Sequence, residues 1–209
     1  MMEDGLLIDG PRETADTIVL AHGAGAAMDS PFMNTVAEGL ARNGIRVVRF
    51  EFPYMKARRE GGKRGAPDRE AVLIEAWREV IARLGGGARL VIGGKSLGGR
   101  IASMVADEAG ARGLVCLGYP FHPPGQPSRL RVKHLESLRT PALIVQGTRD
   151  TFGQPEEVKH YKLSRLIRIE WIVDGDHSLK PRARSGRTEA DNLAAAIAAA
   201  SEFVKQLGV

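Results

Sequence analysis

The sequence has a single cysteine among 209 residues, so it cannot form an intramolecular disulfide. A chain without disulfides suits a reducing compartment, and the first residues lack the basic and apolar segments of a signal peptide. We therefore expect a cytoplasmic protein. No apolar run approaches the roughly 18 residues that a membrane-spanning helix needs, and we expect no membrane partner.

Aromatic residues are scarce as well, at 5% of the chain. Basic surfaces that bind nucleic acid commonly interleave aromatic side chains with the positive charge. In the basic loops of this chain, at residues 53–68, 119–134 and 178–187, no aromatic residue is interleaved with the charged residues. We therefore expect no nucleic-acid partner despite a net charge of +5. With 43% hydrophobic and 26% charged residues, the chain has the composition of one globular domain spanning residues 1–209.

Short apolar or β-branched segments alternate with helical patterns, which is typical of βαβ units and a parallel sheet. The predicted strands span residues 17–21, 46–51, 89–92, 114–117, 142–146 and 167–172, and residues 5–9 could add an edge strand. The predicted helices span residues 31–43, 69–84, 97–109, 155–163 and 188–206. Because several strands are apolar throughout, helices should cover both sheet faces. We predict a single-domain α/β fold with six to seven mostly parallel strands and no lid domain.

The segment Gly94-Lys-Ser-Leu-Gly98 matches the pattern G-x-S-x-G between a predicted strand and a predicted helix. A tight turn in this setting projects the Ser96 hydroxyl above the sheet, and the glycines let the turn close without clashes. The amino terminus of the following helix favours the negative charge that develops in acyl transfer. The pattern alone is weak, but its placement predicts that Ser96 is a nucleophile rather than an ordinary turn residue.

A serine needs a base to take its proton, and the base needs an acid to orient it. Where a serine on such a turn is the nucleophile, the acid and then the histidine follow it along the chain. Asp150 follows the predicted strand 142–146, and His177 follows the strand 167–172. Both should leave the sheet at the same edge as Ser96, so we predict a triad of Ser96, His177 and Asp150. The nearby Asp174 and Asp176 are expected to shape the His177 loop.

The loop His22-Gly-Ala-Gly25 follows the strand 17–21, and its glycines allow the backbone to approach a substrate closely. We predict that the amides of Ala24 and Leu97 form an oxyanion hole and that His22 holds this loop in place. Three further candidates for substrate contact are His122, Lys95 and Tyr54. The remaining histidines have no metal-ligand spacing, so neither a metal site nor a cofactor is predicted.

Three long loops, at residues 53–68, 119–134 and 178–187, follow predicted strands and should lie where α/β sheets bind ligands. Their net charges are +3, +3 and +4, whereas the whole chain carries +5. This charge is either solvated or forms a positive rim that steers an anionic substrate. Both interpretations remain open at this point.

Several motifs together resemble the α/β-hydrolase superfamily, and within it the small dienelactone-hydrolase-like branch. The motifs are His22-Gly-Ala-Gly25, Gly94-Lys-Ser-Leu-Gly98, Gly147-Thr-Arg-Asp150 and Gly175-Asp-His177. The segments Phe52-Pro-Tyr-Met55 and Tyr119-Pro-Phe-His-Pro-Pro124 further resemble small bacterial hydrolases related to the testis-expressed and NSL-complex-subunit proteins. This resemblance covers nearly the whole chain and implies the same triad. Dienelactone hydrolases proper use a cysteine nucleophile, so their lactone chemistry is not implied for Ser96.

We predict a serine hydrolase that cleaves an ester, thioester or similar small acyl substrate through an acyl-enzyme. The alternative is a non-catalytic binding or scaffold module with the same fold, because fold does not fix function. The intact order of serine, acid and histidine argues against that alternative.

Overall fold

The computed structural model describes residues 2–3, 5–62 and 65–208. Its strands are β1 (Met2–Glu3), β2 (Leu6–Asp9), β3 (Thr17–Ala21), β4 (Arg46–Phe50), β5 (Leu90–Lys95), β6 (Gly113–Leu117), β7 (Ala142–Gly147) and β8 (Ile167–Ile172). Within the described residues they form one eight-stranded sheet in the order β1-β2-β4-β3-β5-β6-β7-β8. Strands β3 to β8 are parallel, and β1 and β2 form an antiparallel edge.

The helices are α1 (Pro31–Arg42), α2 (Pro53–Arg59), α3 (Glu70–Arg83), α4 (Leu97–Val105), α5 (Pro155–Val158) and α6 (Glu189–Gln206). Helices α1 and α6 pack on one face of the sheet, and α3 and α4 pack on the other. Neighbouring strand residues serve opposite faces: Val19 joins the core under α3 and α4, whereas Ile18 and Leu20 join the core under α1 and α6. This two-sided burial explains why central strands such as β3 and β6 are almost entirely apolar.

The predicted fold class is confirmed. The described sheet has eight strands rather than the predicted six to seven, because β1 adds a short edge strand beside β2, and α4 ends at Val105 rather than at residue 109. Three further segments also differ from the prediction. Strand β5 continues to Lys95 because Gly93 and Gly94 pair with β3 and β6. The predicted helix 155–163 ends at Val158, after which the chain turns and Tyr161 packs against Phe121, with ring centroids 5.7 Å apart. The loop 53–68, predicted to be irregular, contains helix α2, which begins with a proline at its first helical position.

Among the described residues, every helix is too short or too polar to cross a bilayer.

Gly93, in β5, offers a direct test of the strand pairing. A Cβ atom at this position would stand 1.9 Å from the carbonyl oxygen of Val115, which is a backbone atom of the adjacent strand. We predict that Gly93→Ala lowers the free energy of unfolding by about 3 kcal/mol or more, because the strands must separate to make room. Urea or thermal denaturation would measure the loss.

The matched control is Gly65→Ala, since a Cβ atom there meets no atom within 4 Å. This variant should unfold within about 1 kcal/mol of the unaltered protein. Equal stability of the two variants would contradict the close packing of β5 against β6.

Candidate active site

Ser96 occupies a strained turn between β5 and α4. Its backbone has φ 49° and ψ −111°, a conformation that residues with a side chain rarely adopt. The Ser96 amide donates a hydrogen bond of 3.0 Å to the carbonyl oxygen of Leu117, at the end of β6. The neighbouring strand therefore helps to hold the turn in place.

The two motif glycines make this turn possible because the end of β3 passes directly beside it. A Cβ atom at Gly94 would lie 2.1 Å from the carbonyl oxygen of Ala21, and one at Gly98 would lie 2.4 Å from the same oxygen. Gly94 also has φ 152°, in the region that favours glycine. Any larger residue at either position would push β3 away from the Ser96 turn.

The structure brings Ser96, His177 and Asp150 into one hydrogen-bonded chain. His177 Nε2 lies 2.8 Å from Ser96 Oγ, and His177 Nδ1 lies 2.8 Å from Asp150 Oδ2. With the serine hydroxyl donating to Nε2, Nδ1 carries the proton and donates to the carboxylate. The phenyl ring of Phe152 packs on the imidazole, with centroids 4.1 Å apart.

Asp150 is fully buried, and its carboxylate accepts two further hydrogen bonds. The Phe152 amide donates to Oδ1 at 2.9 Å, and Gln146 Nε2 donates to Oδ2 at 2.9 Å. A buried carboxylate needs such donors, and these two fix the oxygen that faces His177. Neither Gln146 nor Phe152 was predicted to belong to the site. The available signal was Gln146 itself, a polar residue inside an otherwise apolar strand.

The Asp150 and His177 loops touch each other because Gly147 has no side chain. A Cβ atom at Gly147 would lie 2.3 Å from the carbonyl oxygen of Gly175. The Arg149 amide also donates to that Gly175 oxygen, at 2.9 Å. This backbone contact brings the acid within reach of the imidazole.

The other two acids of the His177 loop bind the loop itself. Asp174 accepts hydrogen bonds from the Arg182 amide at 2.7 Å and from Arg182 Nε at 2.8 Å. Asp176 Oδ1 accepts from the amides of Ser178 and Lys180, at 2.8 and 3.0 Å. Both carboxylates therefore brace the loop, as the sequence analysis expected.

The loop after β3 is fixed from behind by His22 and Tyr54. His22 Nδ1 lies 2.7 Å from the carbonyl oxygen of Gly23, and Nε2 accepts a hydrogen bond of 3.1 Å from the Phe52 amide. Burial lowers the pKa of His22, so the ring is neutral, with Nδ1 as the donor. The Tyr54 hydroxyl donates to the carbonyl oxygen of Ala24 at 3.1 Å, and burial raises the pKa of Tyr54 to about 12.

A pocket of about 300 Å³ opens beside Ser96 and His177. Its walls are mostly apolar and include Ala24, Phe32 and Phe152, while Lys95 contributes the one basic side chain besides histidine among the described lining residues. Leu97 is the first residue of α4, where helix amides have no partner within the helix. A larger cavity lies at the opposite edge of the sheet, away from the Ser96 hydroxyl.

Of the three candidates for substrate contact, only Lys95 is among the described residues that line this pocket. Tyr54 supports the loop after β3 from behind. His122 is buried, with Nδ1 2.8 Å from the carbonyl oxygen of Pro123 and Nε2 3.5 Å from Glu157 Oε1. The polar atoms of both residues thus face other parts of the protein.

Several cations of the basic loops are paired with carboxylates. The pairs are Arg59 with Asp29 and Glu51, Arg182 with Asp174, and Lys180 with Glu189. Lys63 and Arg64, which also belong to the predicted rim, lie outside the described residues. Among the described cations of these loops, the positive charge is therefore partly neutralised by neighbouring carboxylates.

Ser103 and His134 form a second contact between a serine and a histidine, but the direction of the hydrogen bond differs from that between Ser96 and His177. Ser103 Oγ lies 2.8 Å from His134 Nε2, but the Ser103 hydroxyl donates to the carbonyl oxygen of Arg100 at 2.6 Å. His134 must then be the donor, so it cannot take a proton from Ser103 in this arrangement. Ser103 is also buried within α4, out of reach of a substrate.

In the described part of the chain, no group of three or more His, Cys, Asp or Glu side chains is arranged to hold a metal ion.

Comparison with solved structures supports the fold. A lidless α/β serine hydrolase from Xanthomonas campestris is 18% identical, with a TM-score of 0.69 over 95% of this chain and 88% of that one. A dienelactone hydrolase from Anabaena variabilis is 20% identical, with a TM-score of 0.72 over 96% and 90% of the two chains. A monoacylglycerol lipase from Paleococcus ferrophilus is 18% identical, with a TM-score of 0.73 over 99% and 100%.

The sequence profile of one family, described as an alpha/beta hydrolase domain, matches residues 14–205. The match includes the Ser96 turn and the loops that carry Asp150 and His177. The chain belongs to the alpha/beta hydrolase domain family.

Proposed function

We propose that this hydrolase cleaves an ester, thioester or similar small acyl bond through a covalent acyl-enzyme on Ser96. The observation that carries the proposal is the hydrogen-bonded chain from Ser96 through His177 to the buried Asp150, with both contacts at 2.8 Å. Ser96, the first member of this hydrogen-bonded series, lines a pocket with room for a small substrate. The arrangement fulfils the geometric requirements of nucleophile, base and orienting acid.

Acylation would begin when Ser96 Oγ attacks the substrate carbonyl carbon and its proton passes to His177 Nε2. Asp150 stabilises the imidazolium that forms, because its Oδ2 already accepts the Nδ1 proton. Collapse of the tetrahedral intermediate breaks the bond to the leaving group, which receives the proton from Nε2. Water then attacks the acyl-enzyme with His177 as base, releasing the acid and restoring Ser96.

The oxyanion of the tetrahedral intermediate would lie between the amides of Leu97 and Ala24. Leu97 begins α4, so its N–H is directed out of the helix end, where the helix dipole favours negative charge. Ala24 lines the pocket on a loop that His22 and Tyr54 hold rigid. Fixed donors of this kind stabilise developing charge without having to reorganise.

The similar structures support an ester-type bond, since they include a monoacylglycerol lipase and a dienelactone hydrolase. Within the family, we place the chain near the small bacterial hydrolases related to the testis-expressed and NSL-complex-subunit proteins. The segments Phe52–Met55 and Tyr119–Pro124 support this closer grouping.

The first test replaces the nucleophile. Ser96→Ala should lower kcat/KM for an activated ester such as p-nitrophenyl acetate by about 10,000-fold or more, because Ser96 carries the one hydroxyl among the described residues that is hydrogen-bonded to the His177 ring. Circular dichroism and thermal unfolding should stay close to those of the unaltered protein. Stopped assays at high enzyme concentration would measure the residual rate.

Ser103→Ala is the matched control, since it removes the other serine that touches a histidine. This variant should keep its activity within about threefold while losing about 1 kcal/mol of stability from the buried hydrogen bond. Full turnover by folded Ser96→Ala would reject the proposed nucleophile. Absence of ester hydrolysis by the unaltered protein would favour a non-catalytic module.

The second test separates the three acids near His177. Asp150→Asn should lower kcat/KM by about a thousand- to ten-thousand-fold, because an amide in place of the carboxylate disturbs the histidine tautomer and cannot stabilise the imidazolium. Asp174→Asn and Asp176→Asn should cost far less, since these carboxylates bind the loop rather than the ring. A larger loss in Asp176→Asn than in Asp150→Asn would show that the acid is assigned wrongly.

A further inference from the structure

Lys95 is a cationic residue in the lining of the pocket that opens at Ser96. Its side chain is only 9% exposed, yet it lines the pocket. None of the described lining residues is an aspartate or a glutamate. The cations of the basic loops, by contrast, are partly paired with carboxylates, as Arg59 and Lys180 show.

The ammonium group of Lys95 is held in place but incompletely bonded. It donates to the backbone carbonyl oxygen of His177 and lies 5.4 Å from the ring centroid of Phe32. Gly118 leaves the space for it, because a Cβ atom there would stand 2.8 Å from Nζ. The His177 oxygen is its one hydrogen-bond acceptor among the described residues, so two of its three N–H donors have none.

A buried ammonium with two free donors is poorly solvated. Burial lowers the pKa of Lys95 to about 8, although the negative charges of Asp150 and Asp176 act in the opposite direction. Asp150 is already engaged with His177, and Asp176 with the amides of its own loop. An anionic ligand in the pocket would satisfy the free donors and stabilise the charged form.

We infer that Lys95 is a specificity-determining residue whose ammonium group binds a carboxylate carried by the acyl part of the substrate. The enzyme would then prefer half-esters of short dicarboxylic acids to neutral esters. The pocket volume of about 300 Å³ limits the acyl chain to a few carbon atoms. This inference rests on the proposed hydrolysis at Ser96 and names its substrate class.

The test compares two esters that differ in charge and little else. Monoethyl succinate carries a carboxylate where ethyl isocaproate carries an isopropyl group, and ethanol release reports hydrolysis of both. The ratio of their kcat/KM values should fall by about 10- to 100-fold in Lys95→Met, the range expected for a hydrogen bond to a charged group. Lys205→Met, an exposed lysine on α6, is the matched control and should leave the ratio unchanged.

The effect of pH and salt adds a second readout. In the unaltered enzyme the preference for monoethyl succinate over ethyl isocaproate should decline as pH rises through about 8, where the free Lys95 ammonium loses its charge. It should persist at high salt, because ions screen a buried contact less than an exposed one. A preference that vanishes with salt would assign the effect to the exposed loops and overturn the role of Lys95.

Equal losses on both esters in Lys95→Met would also overturn the inference, since they would show that Lys95 acts only by positioning His177. Activity of Lys95→Met that is unchanged on both esters would overturn it as well. If neither ester is hydrolysed, calorimetry of succinate binding to Ser96→Ala separates this inference from the proposed function. Binding that is lost in Ser96→Ala/Lys95→Met supports the lysine site. Binding that survives in the double variant, or is absent from Ser96→Ala, rejects it.

Discussion

The candidate site depends on the close approach of β3 to the turn that follows β5. The carbonyl oxygen of Ala21 occupies space that a side chain at Gly94 or Gly98 would need. This contact keeps Ser96 in its strained conformation with positive φ between strand and helix. Because β3 runs on into the loop that carries Ala24, the same contact sets the nucleophile beside a candidate oxyanion amide. One backbone approach thus fixes two parts of the site.

The rest of the site is built from arrangements that would be unfavourable elsewhere. Asp150 is a fully buried carboxylate, tolerated because Gln146, the Phe152 amide and His177 all donate to it. Ser96 has a positive φ without being glycine, and the extensive parallel sheet holds that strain. Lys95 is a buried cation with unused donors. Unfavourable arrangements of this kind persist where the surrounding fold determines the geometry. In this protein all three lie around the pocket beside Ser96.

The sequence was sufficient to predict the strand positions, which follow from periodicity, and the shared sheet edge of the candidate site residues, which follows from chain order. The strands 17–21 and 167–172 agree with the structure residue for residue. The first is apolar because it is buried between two helix layers, whereas the second, at the sheet edge, alternates apolar residues with Arg168 and Glu170. Chain order placed Ser96, Asp150 and His177 at one sheet edge. The structure added what depends on packing between distant segments. Gln146 is held in place beside Asp150 by the Tyr119 amide, 27 residues away, which donates to its Oε1. The pairing of Arg59 with carboxylates 8 and 30 residues away likewise has no periodic signal.

Fluorophosphonates phosphonylate activated serines, so the position of the covalent adduct tests directly whether Ser96 is the nucleophile. Trypsin cleavage after Lys95 and Arg100 releases a peptide in which Ser96 is the one serine, separate from Ser103. We expect the adduct mass on this peptide, and we expect it to be absent from folded Asp150→Asn treated for the same short time. No adduct on the folded protein, or an adduct on another serine, would contradict the assignment of Ser96 as the nucleophile.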